Sequence, residues 1–450
     1  GNADDLVVLA PKGCYLNWIG TAEEPGELTK WVEPERLKKL AIAAWRNDRV
    51  AYRRVLDRLL LVTGPRFLAM NIEALNTSKS PARKYLLKFI EGRNVIGVID
   101  ESTTICHEEA QRTQFILDEL AGKFMARRIL TGLVAPESPM DLYTQYRFLD
   151  WKILSQRSFW GFRNRYAIQE QIDFRPMAQR INDFNNQRTR KPANLIVGYR
   201  NLEELNQKIM KSSYRVTKDQ VLDLPPKIYQ FWDVELTPEQ ERNYVEMREL
   251  AFTRLANGEF SSATIKLDQL GKLQHIVCGH VRAEGGELVN IPEQRTQAVV
   301  DILHQHAGKA IIWAPYPQTL RKIVTRLREE FGDDSTVGFW GETNLDSRLK
   351  ARSRIQSDEK CRFIVSNQSV GKFGNTWTAC NLVIYYANSF DNEDRQQSED
   401  RAHRIGQTKF VTYIDLRARG TLDERLLQVL RKKITISASL QGDEFRKWLI

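Results

Sequence analysis

The chain lacks any apolar run near the roughly 20 residues needed to cross a bilayer. It lacks Cys-x-x-Cys pairs as well, because its cysteines, Cys14, Cys106, Cys278, Cys361 and Cys380, are scattered. That spacing argues against a zinc site and a disulfide framework, and for a reducing compartment. The first residues do not read as a secretory signal. There are no repeats and no low-complexity segment, which excludes a repeat array. These absences lead us to expect a cytoplasmic protein, or a nuclear one in a eukaryote, without membrane contact.

What is present is ordinary in bulk and specific in detail. Hydrophobic residues make up 42% and charged residues 28%, as in a folded globular chain. At 450 residues the sequence exceeds what one core accommodates, so two or three domains are expected. The net charge of +10 is a modest bias toward a polyanion. It does not separate nucleic acid from an acidic protein partner. His275, Cys278 and His280 come nearest to a metal cluster, and we read them as packed helix side chains.

Apolar β-prone runs recur at 6–10, 67–72, 95–99 and 128–130. Residues 35–61 read as one or two amphipathic helices, with Leu37, Leu40, Ala41 and Ala44 at helical spacing. Residues 151–227 look helical and irregular, with few apolar strands. The run Leu-Asp-Leu-Pro-Pro-Lys at 222–227 is a Pro-broken boundary. After it, 229–236 reads as a strand and 238–278 as helical. Strand candidates then return at 309–314, 336–340, 362–367, 382–387 and 409–418, separated by helices such as 318–331 and 346–356. That alternation predicts a second parallel sheet with right-handed crossovers.

Two motifs carry chemistry. The strand at 95–99 runs into Asp100-Glu101-Ser102. Carboxylates at the C-terminal end of a buried parallel strand sit where α/β sheets bind ligands. Asp100 is suited to hold Mg²⁺, and Glu101 to orient or deprotonate an attacking water. The second motif is 397–407, Gln-Ser-Glu-Asp-Arg-Ala-His-Arg-Ile-Gly-Gln, between two strand-like runs. We read it as a helix that stops at Gly406. Gln397, Arg401 and Arg404 would then share one face, suited to a triphosphate.

The segment 397–407 resembles motif VI of the Swi/Snf-type DNA translocases of helicase superfamily two. The resemblance extends along most of the chain. Asp100-Glu101 resembles motif II, with Ser102-Thr103 where Ala/Gly-His is usual. Thr131-Gly132-Leu133-Val134 occupies the motif III position, where Thr/Ser-Gly-Thr-Pro is usual. The loop with Lys12, Asn17 and Trp18 resembles motif Ia, 71–75 the place of motif Ib, and 311–316 motif IV. Gly371, Gly374, Asn375 and Thr376 fall at the motif V position, with altered glycine spacing.

The resemblance implies two RecA-like α/β lobes with parallel sheets facing a cleft. In residue terms it implies a first lobe over 1–150, a helical inter-lobe region over 151–228, a second lobe over 229–417 and brace helices over 418–450. It implies ATP and Mg²⁺ between the lobes and a DNA-dependent ATPase that translocates on double-stranded DNA. Asp100 and Glu101 would be catalytic, with Asp100 on the metal. Arg401 and Arg404 would reach the nucleotide as arginine fingers, and Gln397, Gly371 and Gly374 would contact it. Lys12, Asn17, Asn71, Asn375 and Thr376 would contact DNA, mostly through phosphates. A monomer is favoured.

One motif of that family is missing. Its phosphate loop reads Gly-x-x-x-x-Gly-Lys-Ser/Thr, with backbone N–H groups around the phosphates. The Gly-Lys pairs here are at 122–123, 271–272, 308–309 and 371–372, and none is followed by Ser or Thr. The sequence leads us to expect a first lobe incomplete at its N-terminus, inactive as it stands. A relative without ATPase activity, acting as a DNA-binding scaffold, is the alternative.

Overall fold

A computed structural model describes residues 3–20, 25–46, 50–172, 193–256, 263–283, 286–343, 345–371, 376–428 and 430. The chain divides into two compact units. One contains 1–167 and 199–214, the other 168–198 and 215–432.

The first unit is built on a five-stranded sheet. Its strands are β1 (Asp5–Ala10), β2 (Ala41–Ala44), β3 (Arg66–Asn71), β4 (Val95–Asp100) and β5 (Ala126–Leu130), in the order β2-β3-β1-β4-β5. All neighbours run parallel. The continuous apolar runs at β1 and β3 follow from this, since central parallel strands are covered on both faces. Helices Val50–Leu61 and Pro81–Ile90 bury Leu56, Leu59, Leu86 and Phe89 in its core. At the start of β1, the buried Asp5 carboxylate holds both Arg66 and Arg93. Burial alone would raise the Asp5 pKa, but the bonds from these two guanidiniums outweigh it and lower it.

The stretch 35–61 corrects the helical reading. Pro34–Leu37 is a single turn, Ala41–Ala44 is the edge strand β2, and the helix starts only at Val50. Alanine favours helix locally, but pairing with β3 from Ala41↔Arg66 to Ala44↔Ala69 overrides that preference.

In the sequence between the two sheets lie helices Leu142–Leu154, Phe159–Tyr166 and Leu202–Met210. The same stretch also holds a two-stranded sheet, β6 (Ala167–Ile172) with β7 (Ala193–Tyr199), which the sequence reading missed.

The second unit carries a six-stranded parallel sheet. It uses β8 (Lys227–Asp233), β11 (Lys309–Trp313), β12 (Thr336–Phe339), β13 (Phe363–Ser366), β14 (Cys380–Tyr385) and β15 (Val411–Arg417), in the order β12-β13-β11-β14-β15-β8. A small hairpin, β9 (His280–Arg282) with β10 (Leu288–Asn290), lies outside this sheet. Helices Pro317–Phe331 and Leu345–Ser357 form where the alternation placed them. Both sheets have the all-parallel α/β character expected of RecA-like lobes. Residues 422–428 are helical, and the rest of the expected brace helix lies outside the described residues apart from residue 430.

Candidate nucleotide and nucleic-acid site

The strands β3, β1, β4 and β5 of the first unit end side by side, so their following loops share one edge. Asp100 is the last residue of β4 and is partly buried. One carboxylate oxygen accepts from the Trp18 indole N–H at 2.9 Å, the other from the Glu101 backbone N–H at 3.1 Å. Burial raises the Asp100 pKa, and these two bonds oppose the rise. Glu101 adopts a left-handed backbone, φ 50° and ψ 63°, which turns the chain sharply off the strand. The Thr131 hydroxyl after β5 lies 3.5 Å from Glu101 Oε2 and 3.2 Å from the Leu133 carbonyl.

Ser102, where the related motif carries a small residue, is buried and donates to Gln145 Oε1 at 2.6 Å. The Gln145 amide donates to the carbonyls of Val134 and Asp141, each at 2.7 Å. One glutamine thus links the loop after β4 to the loop after β5. Leu133 is buried, so its departure from the usual threonine supplies core contact. Trp18 and Gln145 are not among the expected site residues. A tryptophan in a loop hinted at the first; nothing local marked the second.

The expected nucleic-acid residues of the first unit lie along the same edge. Lys12 and Asn17 are exposed in the loop after β1, and Asn71 ends β3 directly beside Ala10. The Lys12 backbone N–H donates to Glu73 Oε2 at 3.0 Å, joining the loops after β1 and β3. In the second unit Thr376 is partly exposed, while Gly374 and Asn375 lie outside the described residues. Gly371 ends a one-turn helix and is buried. A Cβ there would sit 2.5 Å from the Trp313 ring and 2.7 Å from Ser366 Oγ, so close packing demands this glycine.

The motif at 397–407 departs from a continuous helix. Helix Asn392–Glu399, N-capped by Asp391, carries Gln397 but ends before Arg401 and Arg404. Both arginines lie in turns, and Gly406, at φ 97°, closes the turns rather than a helix. The single-face arrangement is therefore replaced by a folded loop. Tertiary hydrogen bonds hold its shape. The Arg401 carbonyl accepts from the Trp377 N–H at 2.9 Å, and Arg401 Nε donates to the Gln397 carbonyl at 3.0 Å. Gln407 Nε2 donates to the carbonyls of Thr378, Cys380 and Ala402. The loop thus lies beside the beginning of β14. Arg404 is exposed and Arg401 partly so. Just upstream, Arg395 is fully buried, paired with Glu399 and Asp415 and stacked 3.6 Å from the Tyr385 ring centroid.

His275 stacks on Tyr316 with centroids 3.7 Å apart, and His280 bonds Asn290 and Thr319. Among the described residues, no group of three His, Cys, Asp or Glu is placed to hold a metal ion. The chemistry at β4 suits Mg²⁺ differently. Mg²⁺ takes one or two carboxylates and fills its other positions with water and phosphate oxygens. The Asp100 carboxylate, with one N–H on each oxygen, keeps lone pairs for such a role.

The SNF2-related domain family matches residues 2–280, and the helicase conserved C-terminal domain family matches 294–406. The DNA annealing helicase and endonuclease ZRANB3 of Mus musculus is 24% identical over 449 residues, covering 96% of this chain and 36% of that protein. An uncharacterized ATP-dependent helicase of Mycoplasma pneumoniae is 22% identical over 431 residues, covering 95% and 36%. The TATA-binding protein-associated factor MOT1 of Saccharomyces cerevisiae is 21% identical over 485 residues, covering 94% and 25%. The chain thus spans at most 36% of the length of these three relatives. Among solved structures, the Sulfolobus solfataricus SWI2/SNF2 ATPase core in complex with dsDNA is 23% identical, with a TM-score of 0.39, and covers 98% of this chain and 83% of that one. The SNF2-related match takes in more than half of the sequence, and the chain belongs to the SNF2-related family.

Proposed function

We propose that this chain is the motor part of an ATP-driven translocase on double-stranded DNA. The observation that carries the reading is the Asp100-Glu101 pair at the end of β4, set between Trp18 and Thr131 in a chain of this family. In this reading Asp100 holds Mg²⁺, which when bound polarises phosphoryl oxygens. Trp18 fixes the Asp100 carboxylate. Glu101 orients the attacking water and accepts its proton. Arg401 and Arg404 supply positive charge to the phosphoryl oxygens, and Gln397 an amide contact. Lys12, Asn17, Asn71, Asn375 and Thr376 hold phosphates of the DNA backbone, which makes binding salt-sensitive and sequence-tolerant.

The second reading is a DNA-binding scaffold on the same fold without turnover. It is favoured by where the Gly-Lys pairs sit. Gly122-Lys123 closes a turn before β5, Gly271-Lys272 lies inside helix Ala263–Val277, and Gly308-Lys309 leads into β11. None of these three joins a strand to a helix N-terminus, as a phosphate loop must.

ATPase assays of the complete protein with and without duplex DNA separate the two readings. The motor reading expects DNA-stimulated turnover that falls about 100-fold or more in both Glu101→Gln and Arg404→Ala. Turnover unchanged in both variants overturns it. DNA binding without any turnover leaves the scaffold.

A further inference from the structure

The chain returns to the second unit after Tyr214, and within a few residues Lys218 meets the loop of Arg401 and Arg404. Thr217 opens a one-turn helix, Lys218–Val221, through a capping box with Gln220. Lys218 Nζ lies 2.6 Å from the Asp400 carboxylate and donates to the His403 carbonyl at 3.1 Å. These two residues directly precede Arg401 and Arg404. One ammonium, with three donors, thus holds the side chain of the residue before Arg401 and the backbone carbonyl of the residue before Arg404.

Four further contacts come from the same connector and the strand it leads into. His403 Nε2 lies 2.7 Å from the Pro225 carbonyl, which can only accept, so Nε2 carries the hydrogen. Lys227 Nζ lies 3.0 Å from Glu399 and 3.7 Å from Asp400, and the Tyr229 hydroxyl donates to Glu399 at 2.7 Å. Glu399, Asp400 and His403 are therefore all touched by the stretch 218–229.

We propose that Lys218 is a positioning residue for Arg401 and Arg404, and that with Pro225 and Lys227 it ties the shape of the arginine loop to the path by which the chain returns to the second unit. The helix has ended at Glu399, and what continues into residues 400–406 is a few long backbone bonds, from Asp400 to Gln396, Arg401 to Ser398 and His403 to Glu399, each at 3.3 Å. Side-chain bonds add to these and to the Trp377 bond, and the connector supplies several. A purely stabilising role fits Lys218 less well. The ion pair with Asp400 leaves 32% and 38% of the two side chains exposed, and such pairs contribute little to stability. The effect on turnover rests on the motor reading; the clamp itself does not.

Two measurements on the complete protein test this. The first is hydrogen exchange of the backbone amides of 401–407. Lys218→Met is expected to speed their exchange about tenfold, with β11 and β14 unchanged and a midpoint of thermal unfolding within about 4 °C of wild type. The second is DNA-stimulated ATPase. Here kcat should fall about tenfold with KM for ATP within about twofold. Lys218→Arg should recover much of the loss. The double variant Lys218→Met/Asp400→Asn should lose less than the two singles added together, because both break the Lys218–Asp400 contact while each also breaks one of its own. Wild-type exchange across 401–407 in Lys218→Met overturns the proposal, and so does faster exchange spread equally over β14. If the wild type shows no turnover, the motor reading fails while the exchange measurement still decides the clamp.

Discussion

Gly371 occupies a motif position where a glycine is readily credited to ligand contact, yet its surroundings give it a different task. The Trp313 ring and Ser366 hydroxyl leave no space for a methyl group, and Trp313 is itself fully buried. Gly371→Ala should destabilise the chain by about 1–3 kcal/mol through overpacking, read as a lower urea midpoint with an unchanged slope. Arg395 makes the same point for charge. It lies two residues before the most specific motif, and its bonds to Glu399, Asp415 and Asn388 and its stack on Tyr385 make it part of the core. At this scale a motif mixes residues that face a ligand with residues that hold the motif in place.

At the scale of elements, the stack of His275 on Tyr316 joins helix Ala263–Val277 to the loop after β11. Burial, helped by the nearby His280 and Arg282, pulls the His275 pKa from 6.5 down to about 4. Between those values the folded state binds fewer protons than the unfolded one. The stabilisation is present above pH 6.5 and is lost as pH falls toward 4. His275→Phe keeps an aromatic ring on Tyr316 and removes the titration. Its thermal midpoint should therefore fall less steeply than that of wild type as the pH is lowered through this window. Burial also lowers the pKa of His280, His306 and His403, so a residual slope is expected in the variant.

Elements were legible in the sequence where one strong signal sufficed. β4 and β13 read as continuous apolar runs, and the carboxylates of Asp100 and Glu101 were placed by the end of such a run. Features set by distant partners were not legible. Ala41–Ala44 is a strand only because β3 lies beside it, a partner 25 residues further along the register. The helix expected at 397–407 stops early: the Arg401 carbonyl accepts from the distant Trp377 N–H and the Ala402 carbonyl from the Gln407 side chain, while local composition would let it continue. The bond from Trp18 to Asp100 spans 82 residues and leaves no periodic trace.

At the scale of the whole chain, each unit has its own parallel sheet and its own apolar clusters. Two cores of this kind are expected to melt as two calorimetric transitions rather than one. Leu68 is fully buried in the first core. Leu68→Ala should cost about 2–5 kcal/mol and lower one transition while leaving the other in place. A single transition that moves as a whole would show instead that the two cores unfold together.

The left-handed backbone at Glu101 has a consequence for how this position can change. A residue with a side chain costs roughly 1 kcal/mol there, and glycine does not. A library screened for expression or heat resistance alone should enrich glycine or asparagine at position 101. One screened for turnover should, under the motor reading, return glutamate every time. Divergence between the two screens would make this single position a record of competing selection for folding and for chemistry.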